Sequence, residues 1–176
     1  MAVDIRDYDE RWPELAEAAI AELRAALPCA FTVIEHIGST AVVGLRAKPV
    51  IDLMAAAEAL DLVVKSDDRL GALGYQRLET GMPNRLFYQR DQNARRSHHL
   101  HVVPVDTWAT RNERLLRDHL RTHPDDTARY AALKERLREG GQDREAYTMA
   151  KTSLIQELVD QARGDLGLPP VPVWEC

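Results

Sequence analysis

The sequence predicts an α/β protein of the α+β type, with a mixed β-sheet flanked by helices and further helices at the C-terminal end. Short β-branched, apolar segments alternate with helical segments over the first 105 residues or so, which is typical of strands and helices in one layered domain. Segment 49–54 is apolar on both faces, as expected for a strand buried within a sheet. From residue 108 to residue 163 the periodicity is helical.

The length and composition predict one globular domain. The chain has 176 residues, of which 45% are hydrophobic and 29% are charged. This balance is typical of folded proteins with a substantial core. We expect a single domain over residues 1–165 and an extended proline-rich tail over 166–176, because Pro169, Pro170 and Pro172 exclude a helix there. The pattern leaves open whether this tail is frayed or docked by Trp174.

Charge and cysteine content exclude several classes of protein. The net charge of -5 argues against a general nucleic-acid binder, which needs a basic surface, although a basic pocket for one nucleotide remains compatible. The two cysteines, Cys29 and Cys176, form neither a disulfide framework nor a zinc-finger spacing. No signal-peptide pattern is seen, and the apolar run 53–57 is too short to cross a bilayer. We therefore expect a cytoplasmic protein that binds a small molecule or nucleotide and no membrane.

The individual elements follow from periodicity and from turn residues. Pro13 suits the first turn of a helix that ends before Pro28, and the strand 31–37 ends at Gly38. Turns are predicted at Gly81-Pro83-Asn84 and at Asp91-Gln92-Asn93. The remaining predicted elements are a helix over 59–73, strands over 75–79, 85–90 and 98–103, and helices over 108–121, 125–138 and 143–163.

The turn Gly38-Ser39-Thr40 is a candidate phosphate site. Glycine lets the backbone approach an anion closely, and free N–H groups with hydroxyls can cradle phosphates. The alternative is an ordinary turn or helix cap, which uses the same residue types.

Asp52 is a candidate site residue because it lies inside an apolar strand. A carboxylate in such a position costs several kcal/mol unless it is paired, hydrogen-bonded or bound to a cation. Ile51 and Leu53 point to one face and Val50, Asp52 and Met54 to the other, so both faces are otherwise apolar. This pattern favours a functional carboxylate over one that points to solvent.

His99 and His101 are candidate metal ligands. They lie two residues apart on a predicted strand and so project from one face, where two imidazoles can share a metal ion. The alternatives are a hydrogen-bonded pair or a histidine-rich edge that faces water. A further structural alternative is a buried ion pair between Asp52 and His101.

The basic residues include candidates for phosphate contacts, although most of them are expected on the solvated surface. Lys48 is the best candidate because it precedes the Asp52 strand, and Tyr147 and Lys151 lie one helical turn apart and face a common side. The set as a whole is Lys48, Arg85, Arg90, Arg95, Arg96, Lys134, Arg144 and Lys151.

Taken together, these segments resemble the GrpB family. Each stretch is short, but their order and joint presence are specific. The stretches are 8–13, 35–42, 48–54, 98–103, 117–121, His123-Pro124, 130–134, and 143–147 with Lys151.

The resemblance implies the fold of the nucleotidyltransferase superfamily, and some members of the family are fused to dephospho-CoA kinase domains. In active nucleotidyltransferases the Gly-Ser turn holds the triphosphate and carboxylates on the following strands hold two magnesium ions. This sequence departs from that pattern, because Met54 stands where a second acid is expected and His99 or His101 replaces the third. Glu35 would supply a second carboxylate if it faces the same side.

Two functions follow from the sequence and the resemblance. The first is a metal-dependent nucleotidyltransferase-like enzyme that acts on a nucleotide or phosphorylated ligand and a small acceptor. A nucleoside triphosphate is its expected substrate, and its metal is magnesium, manganese or zinc. The second is an inactive nucleotide- or CoA-binding module with the same fold. The expected catalytic residues are Glu35, His36, Asp52, His99 and His101; the expected metal ligands are Asp52, His99 and His101; the expected ligand contacts are Gly38, Ser39, Thr40, Lys48, Arg85, Tyr147 and Lys151.

Overall fold

A five-stranded mixed sheet forms the centre of the structure. The computed structural model describes residues 4–139 and 144–173, apart from the side chains of 137–148 and 150. The spatial strand order is β1-β2-β5-β4-β3; β2 and β5 are parallel, and the other neighbouring pairs are antiparallel. The predicted fold class is thereby confirmed. The strands are β1 (Val33–Ile37), β2 (Ile51–Ala57), β3 (Tyr75–Leu78), β4 (Leu86–Gln92) and β5 (Arg95–Pro104).

Helices precede, interrupt and follow this sheet. None of the described helices has an apolar stretch long enough to cross a membrane. Two short 3-10 turns lie at Ser39–Ala41 and Val105–Thr110. The α-helices are α1 (Trp12–Ala26), α2 (Leu60–Val64), α3 (Asp67–Ala72), α4 (Asn112–Thr122), α5 (Pro124–Glu139) and α6 (Arg144–Asp165).

The main core lies between one face of the sheet and the helices α1 and α3. Side chains alternate along a strand, so Ile51 and Leu53 of β2 point into this core while Asp52 points away from it. Leu23 of α1 and Leu70 of α3 are fully buried against them. This arrangement leaves the opposite face of β2 for the polar site.

Two smaller hydrophobic clusters stabilise the other face of the sheet and the packing of the C-terminal helices. Met54 packs with Ile37 and Val103 on the face opposite the main core, so β2 is apolar on both faces, as the sequence indicates. The second cluster joins the loop that follows Gly38-Ser39-Thr40 to helices α4, α5 and α6. Its buried members are Val42, Leu45, Leu120, Tyr130 and Leu158.

The single helix predicted over 59–73 is wrong, because the chain forms two short helices there. Helix α2 ends at Val64, and α3 begins at Asp67. The Ser66 hydroxyl donates a hydrogen bond to the Leu62 carbonyl oxygen at 3.3 Å. Such a side-chain bond to a helix carbonyl competes with continuation of the helix.

The described part of the proline-rich tail is docked along α6. Arg163 Nε donates to the Pro169 carbonyl oxygen at 2.6 Å. Gln156 donates to the Val171 carbonyl oxygen and accepts from the Val173 N–H, both at 2.9 Å. Trp174, the docking residue in one of the two alternatives left open by the sequence, lies outside the described residues.

The β4–β5 turn also differs from the sequence prediction. The strands extend to Gln92 and Arg95, so the turn is Asn93-Ala94 rather than Asp91-Gln92-Asn93. Asn93 and Ala94 have φ of 52° and 60°, the positive values that a two-residue type I′ hairpin turn requires. Asparagine tolerates this conformation, whereas alanine is strained in it.

We expect Ala94→Gly to raise the free energy of unfolding by about 1 kcal/mol, because glycine removes the left-handed strain. The same change at Ala132, an exposed residue within α5, should lower it by about 1 kcal/mol. Urea denaturation of both variants tests this. Destabilisation by Ala94→Gly would contradict the strained turn.

Candidate functional site

The candidate site lies where β1 ends and β2 begins. In the sheet Asp52 pairs with Ile37 of β1 on one side and with His99 of the parallel strand β5 on the other. Paired residues of neighbouring strands project from the same face. The register therefore sets the Asp52 carboxylate and the His99 imidazole side by side, directly next to the turn at Gly38.

Asp52 and His99 form a hydrogen-bonded pair. The distance from His99 Nδ1 to Asp52 Oδ1 is 2.8 Å, and the two side chains are 24% and 28% exposed. An ionised carboxylate only accepts hydrogen bonds, so the ring proton lies on Nδ1 and the lone pair lies on Nε2. Arg96 Nη1 lies 3.5 Å from that nitrogen, at the limit of hydrogen bonding. The pair therefore presents one carboxylate oxygen, Asp52 Oδ2, to a ligand, and His99 orients this carboxylate.

Gly38 allows the turn to lie against this carboxylate. Its φ is +73°, and a Cβ at this position would lie 2.5 Å from Asp52 Oδ2. Both the backbone conformation and the close contact exclude larger residues. The glycine predicted from sequence as a phosphate contact thus also positions the acid.

Lys134 brings a buried ammonium group to the same turn. Its Nζ donates to Ser39 Oγ at 2.9 Å and to the Arg46 carbonyl oxygen at 3.0 Å. Burial lowers its pKa to about 8, with a further contribution from the positive charges of Lys151 and Lys48, while Asp52 opposes the shift. The sequence places Lys134 in a set expected mostly at the surface, and the structure buries it.

Thr40 and His36 support the turn from behind. The Thr40 hydroxyl donates to the Val50 carbonyl oxygen at 3.3 Å, so it accepts from His36 Nε2, 2.8 Å away. Burial lowers the pKa of His36 to about 4, and Arg121 and Arg117 lower it further against the effect of Asp52. The ring is therefore neutral at neutral pH and serves here as a hydrogen-bond donor within the turn.

Glu35 faces the same side as Met54, with which it pairs, but its carboxylate is already engaged. Arg114 holds it through two bonds of 3.1 Å, and Arg117 through one of 2.7 Å. Burial alone would raise the pKa of Glu35, but the hydrogen bonds from the two arginines outweigh it and the pKa is lowered. This network joins β1 to α4.

His101 belongs to a separate cluster in this arrangement. Arg85 Nη1 lies 3.4 Å from His101 Nδ1, and Arg85 is ion-paired with Glu113. Arginine only donates, so the Nδ1 lone pair is occupied and the ring proton lies on Nε2. Burial, with the charge of Arg85, lowers the pKa of His101 to about 4. The ion pair considered between Asp52 and His101 is wrong, because the partner of Asp52 is His99.

The residues present do not fit two magnesium ions, but they fit one cation. Met54 is fully buried against Ile37 and Val103 and offers no oxygen ligand. Asp52 offers its second oxygen, Oδ2, while its Oδ1 accepts the hydrogen bond from His99. A single divalent ion held by one or two side chains is usually completed by ligand phosphates and water.

Lys48, Tyr147 and Lys151 are the remaining residues that the sequence predicts as ligand contacts. Lys48 is exposed and Lys151 is half-buried, and the charges of both act on Lys134. The side chain of Tyr147 lies outside the described residues. Sequence reasoning missed the roles of Arg114, Arg117 and Lys134, because they come from helices 79 to 95 residues further along the chain and no local pattern marks them.

We expect Gly38→Ala to lower the free energy of unfolding by more than about 2 kcal/mol. The reason is that the backbone strain of a positive φ and the clash of the new Cβ with Asp52 both destabilise the folded state. Gly44→Ala is the matched control, since Gly44 has φ +78° but open space where a Cβ would lie. This change should lower the free energy of unfolding by about 1 kcal/mol, because only the backbone strain is added. Denaturant titration compares them. Equal costs would contradict the close approach of Gly38 to Asp52.

We expect Glu35→Gln to lower the free energy of unfolding by about 2 kcal/mol at neutral pH, because Arg114 and Arg117 lose a charged hydrogen-bond acceptor. The folded-state pKa of Glu35 is lowered, so its stabilisation is present above about pH 4.5 and is lost as pH falls through the folded pKa. Unfolding curves of wild type and variant should therefore converge in acid. Glu58→Gln, at an exposed position, should show no such dependence.

A GrpB protein family profile matches residues 2–161. The UPF0157 protein YqkA of Bacillus subtilis is 33% identical over 136 residues, which cover 77% of this chain and 39% of that protein. A UPF0157 protein of Pseudomonas aeruginosa is 36% identical over 166 residues, covering 91% of this chain and 67% of the relative. The chain thus spans well under half the length of the first relative and two thirds of the second.

This chain also resembles solved structures. The crystal structure of the conserved protein GrpB from Enterococcus faecalis matches with a TM-score of 0.84 and 26% identity, covering 93% of this chain and 99% of that chain. Cid1 poly(U) polymerase bound to MgATP matches with a TM-score of 0.52 and 14% identity, covering 76% of this chain and 44% of that chain. The second likeness is one of fold alone. This chain belongs to the GrpB family, and its fold is similar to that of a nucleotidyltransferase.

Proposed function

We propose that the protein binds the phosphates of a nucleotide at the turn 38–40 and, with one divalent cation at Asp52, transfers a nucleotidyl group to a small acceptor. The observation that carries this proposal is the buried Lys134 ammonium, held on Ser39 Oγ and close enough to Asp52 for the two charges to interact.

The charge distribution supports an anionic ligand at this turn. Lys134 is 9% exposed, and the neighbouring charges of Lys151 and Lys48 add to the cost of its own charge. A buried ammonium with a lowered pKa is incompletely compensated. A phosphate group beside Ser39 would supply the missing negative charge and restore the pKa of Lys134.

The Asp52–His99 pair supports a cation next to those phosphates. Magnesium, manganese or zinc would be held by the free oxygen of Asp52 and by oxygens of the bound phosphates, and would neutralise charge on the phosphates. The hydrogen bond at Nδ1 fixes the tautomer and the orientation of the His99 ring. Gly38 lets Asp52 approach the turn at which the phosphates would lie.

The proposed reaction is displacement at the α-phosphorus. An oxygen or nitrogen of the acceptor forms the new bond, the bond to the bridging oxygen breaks, pyrophosphate leaves, and the acceptor proton passes to solvent. Ser39, Lys134 and the neighbouring lysines would hold the charge of the leaving pyrophosphate. Its departure would leave the positively charged turn ready for another triphosphate.

Met54 favours a second candidate, a module that binds a nucleotide or a CoA-like molecule without turnover. Met54 is packed in an apolar cluster at the position of the second acid. Loss of that acid removes one of the usual metal ligands of the fold. The two candidates share the phosphate site and differ in whether pyrophosphate is released.

We expect wild-type protein to bind nucleoside triphosphates in calorimetric titrations with Mg²⁺ or Mn²⁺, and Lys134→Met to bind them at least about tenfold more weakly. Lys65→Met, a change of an exposed lysine on the other side of the sheet, is the matched control. Release of pyrophosphate with a panel of small acceptors supports the enzyme; binding of triphosphate or dephospho-CoA without release supports the module. Equal affinity in wild type and Lys134→Met would contradict both.

The same titrations should depend on pH. Lys134 is charged below its pKa of about 8, so triphosphate affinity should fall as pH rises from about 7 to about 9. Lys134→Met should lack this step, because the titrating group is gone. If triphosphate affinity fell equally with pH in wild type and in Lys134→Met, the titrating group would be one other than Lys134.

A further inference from the structure

We propose that His119, His123 and Asp165 bind a divalent transition metal, for which zinc is the best fit. They lie where the C-terminal ends of α4 and α6 meet, on helices rather than at the Asp52 strand. Each offers one ligand atom, and these atoms all lie within 4.8 Å of one another. In the described part of the chain, this is the group of three histidine, cysteine or acidic side chains that meets this distance.

The hydrogen bonds of His119 leave a lone pair for a metal. His119 Nε2 lies 2.8 Å from Asp126 Oδ2. Arg129 Nη1 donates to the other oxygen of this carboxylate at 2.9 Å, and a carboxylate oxygen accepts, so the Nε2 proton of His119 lies in the hydrogen bond to Asp126. The lone pair of His119 therefore lies on Nδ1. A carboxylate bound to the far nitrogen is the usual support of a metal-binding histidine.

His123 has the complementary arrangement. Its Nδ1 lies 2.9 Å from the His119 carbonyl oxygen and 3.0 Å from Thr122 Oγ1. A carbonyl oxygen only accepts, so the proton lies on Nδ1 and the lone pair on Nε2. Among the described residues, no hydrogen bond reaches His119 Nδ1 or His123 Nε2.

The surrounding field favours a cation. His123 caps the C-terminal end of α4, and Asp165 is the last residue of α6. Helix C-termini carry partial negative charge, so two of them attract a positive ion. The Asp165 carboxylate adds a full negative charge and has no ion-pair partner within the described residues.

The geometry needs a small adjustment to hold the ion. The His119 and His123 rings are stacked at 3.9 Å with 10° between their planes. His123 and Asp165 are exposed, so both can turn toward a common point about 2.1 Å from each ligand atom. Two imidazoles and one carboxylate suit zinc better than magnesium or calcium, which prefer oxygen ligands. Water would complete a tetrahedral site.

Zinc at this position would cross-link α4 and α6. These helices pack on the loop that follows Ser39, through Leu120 of α4 and Leu158 of α6. The ion would therefore stabilise the C-terminal helices and the loop beside the phosphate site. This role is independent of the proposed transferase activity.

The test is zinc titration of chelator-treated full-length protein against a chromophoric competitor, together with thermal unfolding. We expect wild type to bind zinc and to gain several degrees in Tm from it. His123→Asn and Asp165→Asn, both at exposed positions, should weaken this binding about tenfold or more and abolish the gain in Tm. Circular dichroism checks that both variants are folded.

His99→Asn is the control that separates this site from the Asp52 site. If zinc binds at the helix ends, His99→Asn retains the affinity and the gain in Tm that His123→Asn loses. Zinc binding that disappears in His99→Asn but persists in His123→Asn and Asp165→Asn would overturn the proposal. Absence of zinc binding to wild type at tens of micromolar would also overturn it.

Discussion

The parallel pairing of β2 with β5 is the constraint on which the site depends. This pairing puts Asp52 beside His99, and their 2.8 Å hydrogen bond satisfies a carboxylate that lies between apolar neighbours. Without a partner, a carboxylate in that position would cost several kcal/mol. A shift of one residue in the register would turn Asp52 into the core formed with α1.

The Asp52 carboxylate in turn restricts which residue can stand in the neighbouring turn. Gly38 approaches Asp52 so closely that no side chain fits between them. The turn then offers Ser39 to Lys134, which comes from the C-terminal half of the chain. The packing of Val42 and Leu45 against α4, α5 and α6 holds this contact together. Strand pairing, turn and helical layer are therefore coupled through a few polar contacts.

The basic side chains near this turn differ in whether they have carboxylate partners. Arg114 and Arg117 neutralise Glu35, and Arg85 is paired with Glu113. Lys134, by contrast, hydrogen-bonds to a hydroxyl and a carbonyl oxygen, while Asp52 is the carboxylate whose charge acts on it. These arginines thus stabilise the scaffold through carboxylates, whereas the Lys134 ammonium is held by neutral oxygen atoms. The imidazoles also differ, since desolvation keeps the half-buried His36 and the buried His101 neutral, whereas His99 donates its Nδ1 proton to Asp52.

By itself the sequence determined the fold class, the strand that carries Asp52, the glycine turn and the histidine-rich strand, because alternation and turn residues are local properties of the chain. It did not determine which histidine pairs with Asp52, since His99 and His101 lie on the same face and the choice depends on the register between β2 and β5. It also did not show that Glu35 is neutralised or that Lys134 is buried. Those facts depend on side chains 79 to 95 residues apart, and only the packing of the C-terminal helices against the sheet brings them into contact.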